Sequence, residues 1–151
     1  MTCEKVYLGQ ELSHKYWDYG IGSVYLNAPL SCQQFLIRTL ENTKSPICLI
    51  IPYTKQDICQ QNNKLQEPQY DWNSIAMSVS SAILFWIGSD TENVQRYIEL
   101  GSWIKSEKVF VGIENSKKND YLHWLWHKEQ HLYPAETIDQ LVNMAIHWLR
   151  E

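Results

Sequence analysis

Three side chains in this sequence are suited to chemistry at a sugar carbon: Glu99, Tyr25 and Asp71. Glu99 stands in Tyr97-Ile98-Glu99-Leu100-Gly101, after the apolar stretch 81–88 (SAILFWIG) and a polar turn at 89–93. If the next helix begins near Val94 or Gln95, the carboxylate lies in an early turn, where the helix dipole and free N–H groups hold it ionised. An ionised carboxylate at a strand's carboxyl end is a nucleophile for an anomeric carbon. The same residue also reads as a solvated helix glutamate paired with a nearby Lys or Arg. Asp71, in Gln69-Tyr70-Asp71-Trp72, is either the N-cap of a helix running through Val79 or a general acid for a leaving base. In the second case Trp72 or Tyr70 offers a stacking surface for a flat heterocycle. Tyr25 and Asn27 share one face of a strand by period two. A Tyr hydroxyl beside a carboxylate orients it and tunes its basicity, and a half-buried strand Tyr is the alternative.

A second constellation is His123, His127 and His131, spaced i, i+4 and i+8 on one expected helix. Two imidazoles so spaced can bind a metal, but no carboxylate joins them on that face, so a polar helix face is expected. Trp124 and Trp126 are expected in the core or an oligomer interface. The four cysteines, Cys3, Cys32, Cys48 and Cys59, form no CxxC pair, which argues against zinc. GxGxxG, GxxxxGK[ST] and GxSxG are absent, so a dinucleotide-binding dehydrogenase, a P-loop NTPase and an α/β-hydrolase are poorly supported.

These residues need a scaffold, and the chain supplies enough material for one domain spanning 1–151. Apolar residues make up 44% and charged residues 20%, which is a globular balance rather than a disordered one. The net charge of −4 argues against nonspecific nucleic-acid binding, which needs a basic field. No apolar run approaches the length of a bilayer span, and the opening residues lack the apolar core of a signal peptide. The expected setting is therefore a reducing cytoplasm with free thiols.

Apolar segments rich in β-branched and aromatic residues predict strands at 5–9, 23–28, 47–53, 81–88 and 108–113. Helical spacing predicts helices at 31–42 with Ser31 as cap, at 71–79, 94–106 and 117–131, and at 134–149 with Pro134 in the first position. Residues 10–22 and 55–69 read as loops. Strands alternating with amphipathic helices imply a parallel sheet covered on both faces, with ligands beyond the strands' carboxyl ends.

In their order, these pieces resemble the nucleoside 2-deoxyribosyltransferase-like superfamily. Val24-Tyr25-Leu26-Asn27-Ala28-Pro29 is similar to the family's first strand and turn, and Tyr70-Asp71-Trp72 to the segment that introduces its central strand. Ala82-Ile83-Leu84-Phe85-Trp86-Ile87 resembles the family's ADVILFW strand, and Glu99-Leu100-Gly101 its ELG helix, followed by Lys108-Val109-Phe110-Val111-Gly112. The resemblance spans about residues 23–121. It implies a flavodoxin-like three-layer α/β sandwich with a mostly parallel sheet of about five strands. It also implies cleavage or transfer at the N-glycosidic bond of a small-molecule nucleoside or nucleotide. Glu99 matches the nucleophile, Tyr25 (or Tyr7, in the earlier VYL) the orienting tyrosine, and Asp71 the residue contacting the base. No cofactor is implied, and a homo-oligomer is compatible. The chain departs from the family at Asn27, where Gly is frequent, and at 93–97, where small residues precede the ELG motif. Asn93 and Arg96 stand there. Arg96 implies either a phosphate-bearing substrate or a pocket that binds without turnover. Asn27, Trp72, Asn93 and Arg96 are thus the expected substrate-binding residues.

Overall fold

The structure, a computed structural model, describes residues 4–7, 22–45, 47–52, 66–88, 94–114 and 119–151. In chain order the elements are β1 (Glu4–Tyr7), β2 (Gly22–Asn27), α1 (Leu30–Asn42), β3 (Ile47–Ile51), α2 (Gln66–Val79), β4 (Ala82–Ile87), α3 (Val94–Trp103), β5 (Val109–Ile113), α4 (Asp120–Gln130) and α5 (Ile138–Arg150). The strands are parallel throughout and lie in the order β1-β3-β2-β4-β5. The expected α/β class with a parallel sheet is borne out, in a Rossmann-like arrangement.

Period two divides the core. Val24 and Leu26 of β2, Leu49 of β3 and Leu84 of β4 face α1 and α5, where Leu36, Leu40, Leu141 and Ala145 meet them. Tyr25, Ile50, Ile83 and Phe85 face the other way, toward Trp72 and Met77 of α2, Leu100 of α3 and Trp126 of α4. Strands buried on both faces must be apolar at every position, which is why β3 and β4 read as continuous apolar runs. Gly112 is required by contact. A Cβ there would sit 2.4 Å from Cε3 of Trp86, so the indole packs directly on backbone.

Several element ends differ from expectation. α1 is capped at Pro29, whose carbonyl accepts from the Cys32 and Gln33 N–H groups, so Ser31 is inside the first turn. α2 begins at Gln66, because polar residues without apolar periodicity still propagate a helix, and Pro68 falls in the first turn where its missing N–H costs nothing. Asp71 is therefore the sixth residue of a helix and not its cap. α3 ends at Trp103. α5 starts at Ile138 behind Thr137, whose Oγ1 accepts from the Gln140 N–H at 3.2 Å. Pro134 and Ala135 instead run along the sheet edge, where Ala135 exchanges hydrogen bonds with Val111 and Ile113, each at 2.9 Å. α4 stops at Gln130, and His131 takes a left-handed conformation (φ 58°), which breaks the expected line of three imidazoles. Among the described residues no group of three or more His, Cys, Asp or Glu could hold a metal ion. Nor does any described helix have the length and apolarity to cross a membrane.

Candidate functional site

The chain runs from β2 to β3 on one side, then crosses back over β2 to reach β4 on the other. The crevice at the carboxyl ends of β2 and β4 is thus the switch point of the sheet, the place where such folds bind ligands. Asn27 ends β2 there, beside Phe85 of β4. Helix α3 leaves β4 and returns over this end, bringing two charged side chains to Asn27.

Arg96 is buried, and its Nε donates to Asn27 Oδ1 at 3.0 Å. Asn27 Nδ2 in turn donates to Glu99 Oε1 in a long contact of 3.5 Å, with Met77 Sδ at 4.0 Å. The amide thus relays between a cation and an anion and satisfies both with one side chain. Tyr25, one turn of the pleat earlier on the same face, is buried beneath them.

Burial sets the electrostatics. It raises the Glu99 carboxyl above its ordinary value, against the opposing hydrogen bond from Asn27, the Arg96 charge and a hydrogen bond from Gln95. The helix dipole was expected to favour the ionised form; the net shift runs the other way, because burial raises the carboxyl. Glu99 is the sixth residue of α3, beyond the first turn where the dipole acts, and desolvation wins. Burial also raises Tyr25 well above the usual phenol range, with the Glu99 charge adding to it, so Tyr25 is a neutral phenol. No hydrogen bond joins Tyr25 to Glu99 among the described residues; the two are coupled by charge. Arg96 is lowered by burial and sustained chiefly by Glu99.

Glu99 also lines an open cleft of about 450 Å³ between α2 and α3. Tyr70, Ser74 and Met77 form one wall, and Gln95, Ile98, Ser102 and Trp103 the other. A carboxyl with raised proton affinity at such a cleft can act as a nucleophile when ionised or pass a proton when not.

The structure thus brings Glu99, Asn27, Arg96 and Tyr25 together. It does not bring Asp71 and Trp72 to this cleft. Asp71 is exposed on α2, and Trp72 is buried in the core against the sheet. A helix beginning at Gln66 turns residues 70, 74 and 77 toward α3 and rotates 71 and 72 away. Tyr7 pairs with Ile51 in β1, two strands from β2, which leaves Tyr25 as the tyrosine next to Glu99. Asn93 lies outside the described residues. Ser74, Met77, Gln95, Ile98, Ser102 and Trp103 were not anticipated. The i, i+4, i+7 spacing of 70, 74 and 77 and the i, i+3, i+7 spacing of 95, 98 and 102 carry the signal. It becomes readable only once the start of α2 is known. No protein-family model matches the chain, and no curated protein matches it.

Proposed function

We propose that this cleft cleaves or transfers at the N-glycosidic bond of a nucleoside or nucleotide, with Glu99 as the nucleophile. A Glu99 oxygen attacks C1′, and the C1′–N bond breaks with its electron pair leaving on the base nitrogen, which takes a proton from water. Water or a second base then attacks C1′ of the glycosyl ester, surrendering a proton and freeing the carboxylate. The observation that carries the reading is a half-buried carboxyl at the switch point, lining a cleft and fixed by Asn27. Tyr70 and Trp103 give the cleft aromatic surface suited to a heterocycle. The order β3-β2-β4-β5 supports a flavodoxin-like sheet, in keeping with the resemblance to nucleoside 2-deoxyribosyltransferases.

Incubation with deoxynucleosides, nucleoside monophosphates and NAD, followed by assay of free base, tests the reading. Wild type releases base and Glu99→Ala reduces release by about 10³-fold or more, as for loss of a covalent nucleophile. Absence of release from every substrate removes the catalytic reading, and release unchanged in Glu99→Ala removes the nucleophile. One observation favours a second reading, a binding or interaction module of the same fold without turnover. The Arg96 side chain is buried against Asn27, in the stretch where the family's small residues admit the sugar. Thermal stabilisation by a nucleotide without product selects it.

A further inference from the structure

We infer that Arg96 is a positioning residue that sets the Glu99 carboxylate through Asn27, a role that rests on Glu99 being the nucleophile. Arg96 and Glu99 are three residues apart on one side of α3, and Asn27 at the end of β2 lies against both. Arg96 is 8% exposed and Asn27 5%, so neither can exchange its partner for bulk water without cost. Both stand where the chain departs from the nucleoside 2-deoxyribosyltransferase pattern, Asn27 in place of a frequent Gly and Arg96 in a stretch of small residues.

The polarity of the three groups decides how the amide sits. The Arg96 Nε–H can only donate, and an ionised carboxylate can only accept. One setting of the Asn27 amide satisfies both. Its Oδ1 accepts from Nε at 3.0 Å, and its Nδ2 faces Glu99 Oε1 at 3.5 Å and Met77 Sδ at 4.0 Å. The opposite setting turns the amide NH2 onto the Nε–H and the amide carbonyl onto the carboxylate, with like polarity meeting at both ends. The guanidinium therefore excludes the wrong setting. It stays protonated across the range in which a carboxyl titrates, so the amide keeps its direction while Glu99 changes state.

A fixed donor gives the carboxylate direction. The last torsion of a Glu side chain is broad, and a hydrogen bond from a buried amide narrows it. Attack at C1′ needs the oxygen in line, and a misplacement of about 1 Å can cost on the order of 10²-fold in rate. Among the described residues, the charged and titratable groups coupled to Glu99 are Arg96 on the same helix and Tyr25 on β2. The neutral phenol of Tyr25 carries no charge that could stand in for the guanidinium. The competing role for Arg96 is a phosphate anchor, which predicts a different loss.

Arg96→Met removes the donor and the charge and keeps an unbranched stem. Kinetics on a deoxynucleoside and on its 5′-monophosphate, at a pH where Glu99 is ionised, should show kcat reduced about tenfold for both with KM within about twofold. In an Asn27→Ala background the same substitution should cost less than about twofold. Arg96→Lys keeps a cationic donor and should recover part of the loss; it carries the test if dichroism shows Arg96→Met unfolded. A KM increase confined to the monophosphate, or losses that simply multiply in the double variant, overturns the proposal. A carbon-13 titration of the Glu99 carboxyl in wild type, the two single variants and the double variant needs no turnover. Its midpoint should rise in Arg96→Met, and rise less when Asn27 is already Ala, because a lowering charge and a lowering hydrogen bond are lost together. Equal rises in the two backgrounds overturn the proposal. Unequal rises in a protein that releases no base keep the coupling and remove the glycosidic reading instead.

Discussion

The two faces of the sheet are built to different rules. Under α1 and α5 the core is mostly aliphatic: Leu26, Leu36, Leu40, Leu49, Leu84, Leu141 and Val142 are fully buried and meet with little polar interruption. Under α2, α3 and α4 the same strands meet Tyr25, Asn27, Trp72, Arg96 and Trp126. Among the described residues, the buried ring nitrogens lacking a protein partner are those of Trp72, His123, Trp126 and His127, all on this second side. A buried polar group without a partner costs about 1–3 kcal/mol, so this side gives up stability that the first retains. The cleft is also on this side. The lesson is a division of labour within one sheet: even-numbered β2 residues secure the fold, and odd-numbered ones face the side that carries the cleft.

The largest test of that contrast is Leu84→Ala. Leu84 is fully enclosed on the closed face, and its truncation should cost about 3 kcal/mol in chemical denaturation. Ile98→Ala, on the cleft wall where the side chain is 64% exposed, should cost under about 1 kcal/mol. Equal losses would erase the distinction.

Next comes Lys108. Its Nζ donates to the carbonyls of Met77, Ser78 and Ser80 at 2.6, 2.8 and 2.9 Å and lies 5.0 Å from the Trp103 ring centre. A cation thus closes the carboxyl end of α2 and ties it to a cleft wall. Lys108→Met should cost about 2 kcal/mol, read as a lowered denaturant midpoint. It should also loosen the α2–α3 side first, seen as faster amide exchange in α2 than in α1.

The smallest effect has the opposite sign. Burial raises Glu99 in the folded state above its unfolded value, so folding costs less with the carboxyl protonated than with it ionised. Ionising it costs stability progressively as pH rises from the ordinary carboxylate range through the raised folded value, and the full cost is present above that value. Glu99→Gln should therefore raise the melting temperature at neutral pH. The gain should vanish well below the ordinary carboxylate range, where both states of the wild type are protonated. A gain independent of pH would mean that something other than ionisation limits the site.

Much of the scaffold was legible in the sequence because burial leaves a local record. Strands covered on both faces are apolar at every position, as in Ile47–Ile51 and Ala82–Ile87. Alternation with helices then implied the parallel sheet. Helix starts were less legible. Gln66–Gln69 has no apolar period, and Pro134 imitates a first-turn proline while serving the sheet edge. Within α2 the face of Tyr70, Ser74 and Met77 lines the cleft, while Trp72 is turned into the core and Asp71 to solvent. Glu99 and Asn27 could be nominated from their positions after strands. Their pairing through one amide with Arg96 could not, because it depends on a crossover that brings residues 69 positions apart within 3.0 Å.

The short pairing of Ala135 with Val111 and Ile113 has a consequence of its own. β5 ends the sheet, and an open strand edge is a template for further strands from other molecules. By occupying two of its backbone positions and then turning at once into α5, the 134–137 segment leaves too little free ladder for a neighbour to extend. Growth of the sheet into fibrous stacks is blocked at that margin.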